Sequence, residues 1–305
     1  MQKITPFLWF DDNAEEAVQF YTAIFQNAGT GELLHYNDAS AAASGKPEGS
    51  VLTIPFKLRG QDFVAMNGGP HFKFNPSVSF FVTLQTEAEV DRLWSELIKG
   101  GSALMDLGKY GWSEKYGWLQ DRFGLSWQLT LGSLKEAGQS IIPALLFVGS
   151  QNGRAEEAVR FYTSVFENPE IPVLEHHEPG DPGEEGHVKF SRFILDGNVF
   201  IAMDGGLQHQ FGFNEAISFV VNCKTQQEVD DYWSKLTSGG DTKAQQCGWL
   251  KDRFGISWQV VPAILPELMG DKDRRKAQNV TEALLQMKKI VIADLKKAYN
   301  AEKEA

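Results

Sequence analysis

The sequence predicts an α+β protein that is built from duplicated small units. The chain has 305 residues, which is more than one hydrophobic core usually organises, so we expect two domains. Its sequence repeats itself once, and within each copy strand-like stretches alternate with amphipathic helix-like ones. A pattern that recurs at this long interval indicates two duplicated domains rather than a solenoid of short repeats.

The internal repeat is the strongest signal in the sequence. Residues 14–22 read AEEAVQFYT and return as AEEAVRFYT at 155–163. Residues 117–128 read GWLQDRFGLSWQ and return as GWLKDRFGISWQ at 248–259. The spacing between matching blocks drifts by a few residues along the chain, as insertions and deletions in loops would cause.

The first half of each copy begins with a strand and a helix. Residues 5–10 form a short apolar run that predicts a strand, and the polar residues 11–13 favour a helix start. From residue 14 to 25, apolar side chains recur at helical spacing. The stretches 51–59 and 61–67 then predict two strands.

The second half of each copy repeats this order. Residues 77–84 alternate as in a strand, and Thr86 caps a second amphipathic helix, which ends at two glycines. Three further strands are predicted at 103–107, 115–121 and 125–131. The order strand, helix, three strands is therefore a βαβββ unit, written twice per copy and four times in the chain.

These repeats divide the chain into an N-terminal domain at 1–135 and a C-terminal domain at 141–266. Residues 271–305 form a helical extension outside both copies. One face of this predicted long helix carries an apolar stripe: Leu284, Met287, Val291, Leu295 and Ala298. We expect the stripe to pack on the chain's own domains or on a second subunit. Lysines on the opposite side leave binding to a membrane surface as the alternative.

Composition excludes several classes of function. The formal net charge of −11 argues against a nucleic-acid-binding protein, because phosphate binding requires a basic face. No apolar run approaches the roughly 20 residues of a membrane span. The first residues lack the pattern of a signal peptide, and two cysteines favour a reducing compartment. We therefore expect a cytoplasmic protein that binds neither nucleic acid nor membranes.

Three sequence stretches resemble a known family. They are the AEEAVxFY start, the NGGPHFKF stretch at 67–74 and CGWLKDRFGISWQVV at 247–261. Together with paired βαβββ units they resemble the vicinal oxygen chelate superfamily of glyoxalase, bleomycin-resistance and dioxygenase proteins. The likeness is to its PhnB-like branch, often labelled 3-demethylubiquinone 3-methyltransferase-like. The resemblance implies two tandem domains, each a pair of units that form a curved half-barrel sheet. The superfamily also pairs units between chains, so a homodimer is one implied arrangement.

The superfamily's chemistry normally depends on a divalent metal held by His, Glu and Gln side chains. Laid on this chain, its ligand positions fall at Thr5, Thr53 and Gln128 in the first copy, and at Ile142, Phe190 and Gln259 in the second. None of these is His, Asp or Glu, which such a metal requires. The sequence therefore predicts no metal site and no cofactor, provided that the strand register is right.

Tryptophans on both sides of the DRFG turn are the most suggestive feature for ligand binding. They have two interpretations: they fill the core, or they line an aromatic cleft in which Trp9, Trp118 and Trp127 lie with Asn67 and Gln128. His71 either shapes a turn or donates into a pocket, and Cys247 is either inert or reactive. The candidate ligand-binding residues are Trp9, Asn67, His71, Trp118, Trp127, Gln128, Asp204, Cys247, Trp249, Trp258 and Gln259.

The leading functional hypothesis is metal-independent binding of a small organic molecule in clefts of the curved sheets. The superfamily's resistance proteins, which sequester ligands, set that precedent. The first alternative is a metal-dependent lyase, isomerase or dioxygenase. The second is a methyltransferase-like enzyme, although no Gly-rich strand–loop–helix for a nucleoside cofactor is present. A non-catalytic role in assembly through the C-terminal helix is the last, and whether the protein is an enzyme stays open.

Overall fold

A computed structural model describes residues 2–205 and 209–301 of the protein. The strands are β1 (Ile4–Phe10), β2 (Gly29–Thr30), β3 (Leu34–His35), β4 (Val51–Leu58), β5 (Gln61–Asn67), β6 (Val78–Leu84), β7 (Ser102–Tyr110), β8 (Ser113–Gln120), β9 (Ser126–Leu131), β10 (Ile141–Phe147), β11 (Glu170–His176), β12 (Val188–Leu195), β13 (Asn198–Asp204), β14 (Ile217–Cys223), β15 (Asp241–Gln246), β16 (Trp249–Lys251) and β17 (Ser257–Pro262). The α-helices are α1 (Ala14–Ile24), α2 (Asp38–Ser44), α3 (Glu87–Leu97), α4 (Leu134–Ala137), α5 (Ala155–Val165), α6 (Gln226–Thr237), α7 (Leu265–Met269), α8 (Arg274–Leu285) and α9 (Ile292–Tyr299).

Two mixed sheets organise these elements, and the predicted α+β class of curved sheets is confirmed. Sheet 1 has the order β15-β16-β17-β14-β1-β5-β4-β2, with β3 also paired to β4. Sheet 2 has the order β11-β12-β13-β10-β6-β9-β8-β7. The short strands β2 and β3, which the sequence pattern does not reveal, complete the first unit.

Each sheet joins one unit of the first repeat to one unit of the second. In sheet 1, β1 pairs antiparallel with β14, and in sheet 2, β6 pairs antiparallel with β10. Two units of the same repeat therefore lie in different sheets. A single chain thus contains both pairings between repeats, which could otherwise form between two chains.

The hydrophobic core lies between the two sheets. Helix α1 packs on β4 and β5 of sheet 1, and its Tyr21 ring also contacts Trp127 of β9 in sheet 2. Phe63 of sheet 1 and Phe80 of sheet 2 meet with their ring centroids 5.3 Å apart. A single cluster of buried apolar side chains therefore joins both repeats, so neither repeat has a separate core.

A buried carboxylate links a helix to a strand inside each repeat. Asp121 accepts hydrogen bonds from the Tyr21 hydroxyl at 2.7 Å and from Trp127 Nε1 at 2.9 Å. Asp252 accepts the same bonds from Tyr162 at 2.6 Å and from Trp258 at 2.9 Å. Burial raises the pKa of both carboxyls, while these donors and two backbone N–H groups oppose that shift. The Asp of each DRFG turn is therefore structural.

The start of helix α1 is capped from a distance. The polar run before the helix predicts a local cap, but Asn13 makes no side-chain capping bond. Instead Asn67, at the end of β5, accepts from the Ala14 backbone N–H through its Oδ1 at 2.9 Å. Asp204 takes the same place for α5 by accepting from the Ala155 N–H at 3.2 Å. Both side chains are therefore tied to the helix starts.

The C-terminal extension differs from its prediction as one long helix. Within the described residues, which end at 301, the extension forms the separate helices α8 and α9. The predicted positions 302–305 are not among the described residues. The interruption has a tertiary cause, because Cys247 N–H donates to the Met287 carbonyl and Gly248 N–H to the Lys288 carbonyl, both at 2.7 Å. Ile290 is fully buried between the two helices. None of the described helices is long and apolar enough to cross a membrane.

We predict that Asp252→Asn destabilises the fold strongly. An amide at this position presents N–H groups where the carboxylate accepts, which leaves buried donors unpaired and costs about 2–4 kcal/mol. Urea unfolding at pH 7 measures the change in free energy. The exposed Asp12→Asn is the control, with an expected change within about 0.5 kcal/mol. Equal effects of the two substitutions would show that the buried bonds contribute nothing.

Candidate functional site

One row of side chains crosses the face of each sheet that points away from the common core, here called the concave face. In sheet 1, strand pairing places Trp249 beside Gln259, Gln259 beside Val220, and Val220 beside Thr5. In sheet 2 the corresponding row is Trp118, Gln128, Phe81 and Ile142. Because neighbours in such a row have their side chains on the same face, each sheet presents a Trp–Gln pair beside an apolar or hydroxyl group.

The glutamine of each row is buried and anchored by a serine. Gln128 is 3% exposed and donates through Nε2 to Ser79 Oγ at 2.8 Å. Gln259 is 6% exposed and donates to Ser218 Oγ at 3.0 Å. In the structure each amide nitrogen lies on the serine side, and the carbonyl oxygen lies at the other end of the amide. Both amides therefore hold their acceptor atom in a defined position on the concave face.

The two glutamines differ in what meets that acceptor. The Tyr116 hydroxyl donates to Gln128 Oε1 at 2.6 Å, and burial raises the pKa of this hydroxyl, so it stays protonated. Cys247 stands at the matching place in the second repeat, and its Sγ donates to the Leu284 carbonyl instead, at 3.4 Å. Within residues 2–205 and 209–301, Gln259 Oε1 has no hydrogen-bond donor. An acceptor that no described protein group pairs is thus left on the concave face of sheet 1.

Aromatic rings surround this open acceptor. Trp249 meets Phe7 with centroids 5.5 Å apart and Trp9 at 6.0 Å, both edge to face. Trp9 also contacts Phe72 at 5.1 Å and His71 at 6.4 Å, and its Nε1 donates to the Gly69 carbonyl at 2.8 Å. The predicted residues Trp9, His71, Trp249 and Gln259 therefore share the concave face of sheet 1.

Helix α8 covers the same face by bridging two edges of sheet 1. Asn37, next to the edge strand β3, donates through Nδ2 to Thr281 Oγ1 at 2.8 Å. One helical turn later, the Leu284 carbonyl accepts from Cys247, between β15 and β16 at the other edge. Since one helical turn rises about 5.4 Å, the two edges of this sheet approach closely. The apolar residues of the extension form their own cluster against Cys247 and Val261.

The concave face of sheet 2 is more apolar. Ile142, Ala144, Val199 and Ile201 form a buried cluster against which Phe81 packs. Near the row Tyr110 stacks on Trp112, which is 68% exposed, and both rings meet Tyr116 edge to face. In place of helices α7 to α9, the first repeat ends in the short helix α4, whose Ala137 joins the apolar cluster. The two concave faces have therefore diverged.

Several candidate residues lie away from both concave faces. Trp127 and Trp258 are each 1% exposed and face the common core, where they donate to the buried carboxylates. Asn67 and Asp204 hold the helix starts. The cleft predicted from Trp9, Trp118, Trp127, Asn67 and Gln128 is therefore not assembled, because Trp9 lies on sheet 1 and Trp118 on sheet 2.

The ligand positions implied by the superfamily do fall on the concave faces, as the predicted register requires. They are Thr5, Thr53 and Gln259 on sheet 1, and Ile142, Phe190 and Gln128 on sheet 2. A divalent metal of this type needs imidazole or carboxylate donors. No group of three or more His, Cys, Asp or Glu that could hold a cation occurs in the described part of the chain. These residues therefore do not fit a divalent metal.

The sequence patterns do not identify the residues beside the two glutamines. Ser79, Ser218, Phe81 and Phe7 alternate with core residues along their strands, which is a visible period of two. That period could identify them as concave-face residues once one residue of each strand is assigned. Tyr116 aligns with Cys247 in the sequence repeat. The hydrogen bond that Tyr116 makes depends on the register of β8 against β9, which the alignment does not give.

Comparisons with known proteins give a family and a fold. The model of the family described as 3-demethylubiquinone-9 3-methyltransferase matches residues 2–130 and 139–261. A PhnB protein from Bacillus cereus is 41% identical over 43% of this chain and 100% of its own, with a TM-score of 0.40. Glyoxalase I from Zea mays is 12% identical over 88% of this chain and 95% of its own, with a TM-score of 0.52, which indicates a shared fold alone. No curated protein matches the chain.

We predict that Gln128→Leu costs more stability than Gln259→Leu. The first change leaves the buried Tyr116 hydroxyl without its acceptor, whereas the second removes only a bond to a serine. The expected difference is about 1 kcal/mol in the free energy of unfolding, measured in urea. A greater loss from Gln259→Leu would mean that Gln259 Oε1 is not the open acceptor.

Proposed function

Because this chain belongs to the 3-demethylubiquinone-9 3-methyltransferase family, in two copies, we propose that it binds a small organic molecule without a metal. The binding site is the concave face of sheet 1. The molecule is planar, largely apolar and carries one hydrogen-bond donor. The observation that carries this proposal is the buried Gln259, whose carbonyl oxygen has no donor among the described residues.

The surroundings of Gln259 support this class of ligand. Trp249 lies directly across from it on the neighbouring strand, and Phe7 and Trp9 contact Trp249. Aromatic walls with a few fixed polar atoms are the usual composition of a small-molecule site. A ligand that donates to this oxygen would add one hydrogen bond, with a net contribution of about 0.5–1.5 kcal/mol.

Methyl transfer and metal-dependent chemistry have less support on these faces. The rows offer amide, hydroxyl, indole and aliphatic groups, which neither hold a divalent cation nor supply a base of suitable pKa. Burial raises the pKa of the Cys247 thiol, which disfavours a thiolate nucleophile. Binding is therefore favoured over catalysis.

We further propose the domain limits 1–135, 141–266 and 271–305, which the positions of the two family matches support. A cytoplasmic location is proposed because both cysteines, Cys223 and Cys247, are free thiols. A homodimer stays a prediction. The pairing of units that could join two chains is already made within one chain, in both sheets. Light scattering would measure the mass in solution.

We predict that the protein binds indole more tightly than benzothiophene. The two molecules have nearly the same shape, but only indole has an N–H that can donate to Gln259 Oε1. Isothermal titration calorimetry should give a dissociation constant roughly fivefold to tenfold lower for indole. Absence of saturable binding for both molecules would contradict the proposal.

Variants separate this site from other binding. Gln259→Leu should remove the preference for indole while benzothiophene still binds, because the aromatic walls remain. The exposed Gln19→Leu is the matched control and should keep the preference. An unchanged preference in Gln259→Leu would place the indole elsewhere.

We also predict that metal removal has no effect on this binding. Dialysis against EDTA should leave the affinity for indole and the thermal midpoint unchanged, because the rows supply neutral donors only. Loss of binding that is restored by zinc, nickel, manganese or iron would support the metal-dependent alternative instead.

A further inference from the structure

A cavity of about 510 Å³ lies where the turn between β12 and β13 meets the start of β1 and helix α6. We call it the turn cavity. The lining residues that matter here are Lys3, Glu167, Asp196, Asn198, Glu228 and Tyr232. Its volume lies within the range of small-molecule sites, about 300–1,000 Å³.

In the first repeat, Arg59 lies at the turn that corresponds to the one beside this cavity. The hairpins β4–β5 and β12–β13 align Arg59 with Asp196, and both residues have a left-handed backbone, with φ of 48° and 46°. The Arg59 guanidinium donates through Nε to Ser140 Oγ at 2.5 Å and lies 3.8 Å from Glu89 Oε1. Only 12% of the Arg59 side chain is exposed. A guanidinium thus occupies this place in the first repeat.

The second repeat replaces that cation by a carboxylate. Asp196 stands where the first repeat has Arg59, and Lys3 stands where it has Ser140. Lys3 Nζ is held by Glu228 Oε2 at 2.9 Å and lies 4.6 Å from the centre of the Tyr232 ring. Asp196 and Glu167 form no salt bridge within the described residues. Lys3 thus supplies to Glu228 the positive charge that Arg59 supplies to Glu89, whereas Asp196 and Glu167 have no cation of their own in the described part of the chain.

An amide whose oxygen has no donor among the described residues also belongs to the lining of this cavity. Asn198 lines the cavity, is 7% exposed, and donates through Nδ2 to the Leu195 carbonyl at 3.3 Å and the Asp196 carbonyl at 3.1 Å. Both amide protons are thereby used, which fixes the orientation of the amide. Its Oδ1 has no donor in the part of the chain that the structure describes. The cavity therefore presents acceptors to an incoming donor.

The titration behaviour of Tyr232 agrees with a negative environment. Burial raises the pKa of its hydroxyl, and the carboxylates of Asp196 and Glu167 raise it further. An additional cation near these carboxylates would be stabilised by the same charges. An anion would meet Lys224 at the rim, but Lys3 is already paired with Glu228.

We propose that the turn cavity binds a small organic cation with a guanidinium group. The planar guanidinium would donate to the Asp196 carboxylate and to Asn198 Oδ1. Such charge-assisted bonds are about twice as strong as neutral ones, and the guanidinium shape suits planar acceptors. This proposal does not rest on the function proposed for the concave face of sheet 1.

The test compares N-butylguanidinium with N-butylurea on the full chain by isothermal titration calorimetry at low ionic strength. The two probes have nearly the same shape, but only the first carries a positive charge. We expect saturable binding of one N-butylguanidinium per chain and at least about tenfold weaker binding of N-butylurea. Equal affinities, or no saturable binding of N-butylguanidinium, would overturn the proposal.

Two substitutions locate the binding. Asp196→Asn removes one charge and should weaken N-butylguanidinium at least about fivefold, whereas Glu32→Gln, in an exposed loop, should not. Asp196→Arg recreates the arrangement around Arg59 and should abolish binding while the urea transition stays cooperative. Full binding by Asp196→Arg, or equal effects of Asp196→Asn and Glu32→Gln, would place the cation elsewhere and overturn the proposal.

Discussion

The buried carboxylates of Asp121 and Asp252 hold together two sheets that backbone hydrogen bonds alone do not connect. Each sheet joins units of different repeats, whereas each carboxylate joins a helix and a strand of the same repeat. Helix α1 packs on sheet 1 while Trp127 belongs to sheet 2, so the bonds of Asp121 cross the core between them. Separating the repeats would break both sheets, and separating the sheets would expose unpaired carboxylates.

Because the chain is duplicated, a residue in one repeat can be compared with its counterpart in the other. At two places the repeats differ in how a polar group is paired. The Tyr116 hydroxyl meets Gln128, but Gln259 has no such donor among the described residues; Arg59 fills a space that is a cavity beside Asp196. The same contrast therefore supports both proposed sites, although one takes an apolar planar molecule and the other a cation.

The sequence predicts the elements well but not how they meet. The repeat, the helix at 14–25 and the Thr86 cap follow from local patterns, and so does the register that turns Thr5 toward the concave face. Alternation along a strand cannot tell which strand lies beside it, so the pairing between repeats was not predictable. The sequence also does not predict which face of the sheet Trp127 occupies, because the turn before β9 interrupts the alternation of side chains along the chain. The break at 286–291 depends on bonds to a distant strand edge.

We expect the concave faces to bind through neutral amide and aromatic groups and to hold no metal ion. Anomalous diffraction from crystals grown with zinc, recorded at the zinc absorption edge, is the sharpest check. We expect no anomalous peak within coordination distance of Gln128 or Gln259. A peak there with protein oxygen or nitrogen ligands at about 2.0–2.2 Å would contradict it.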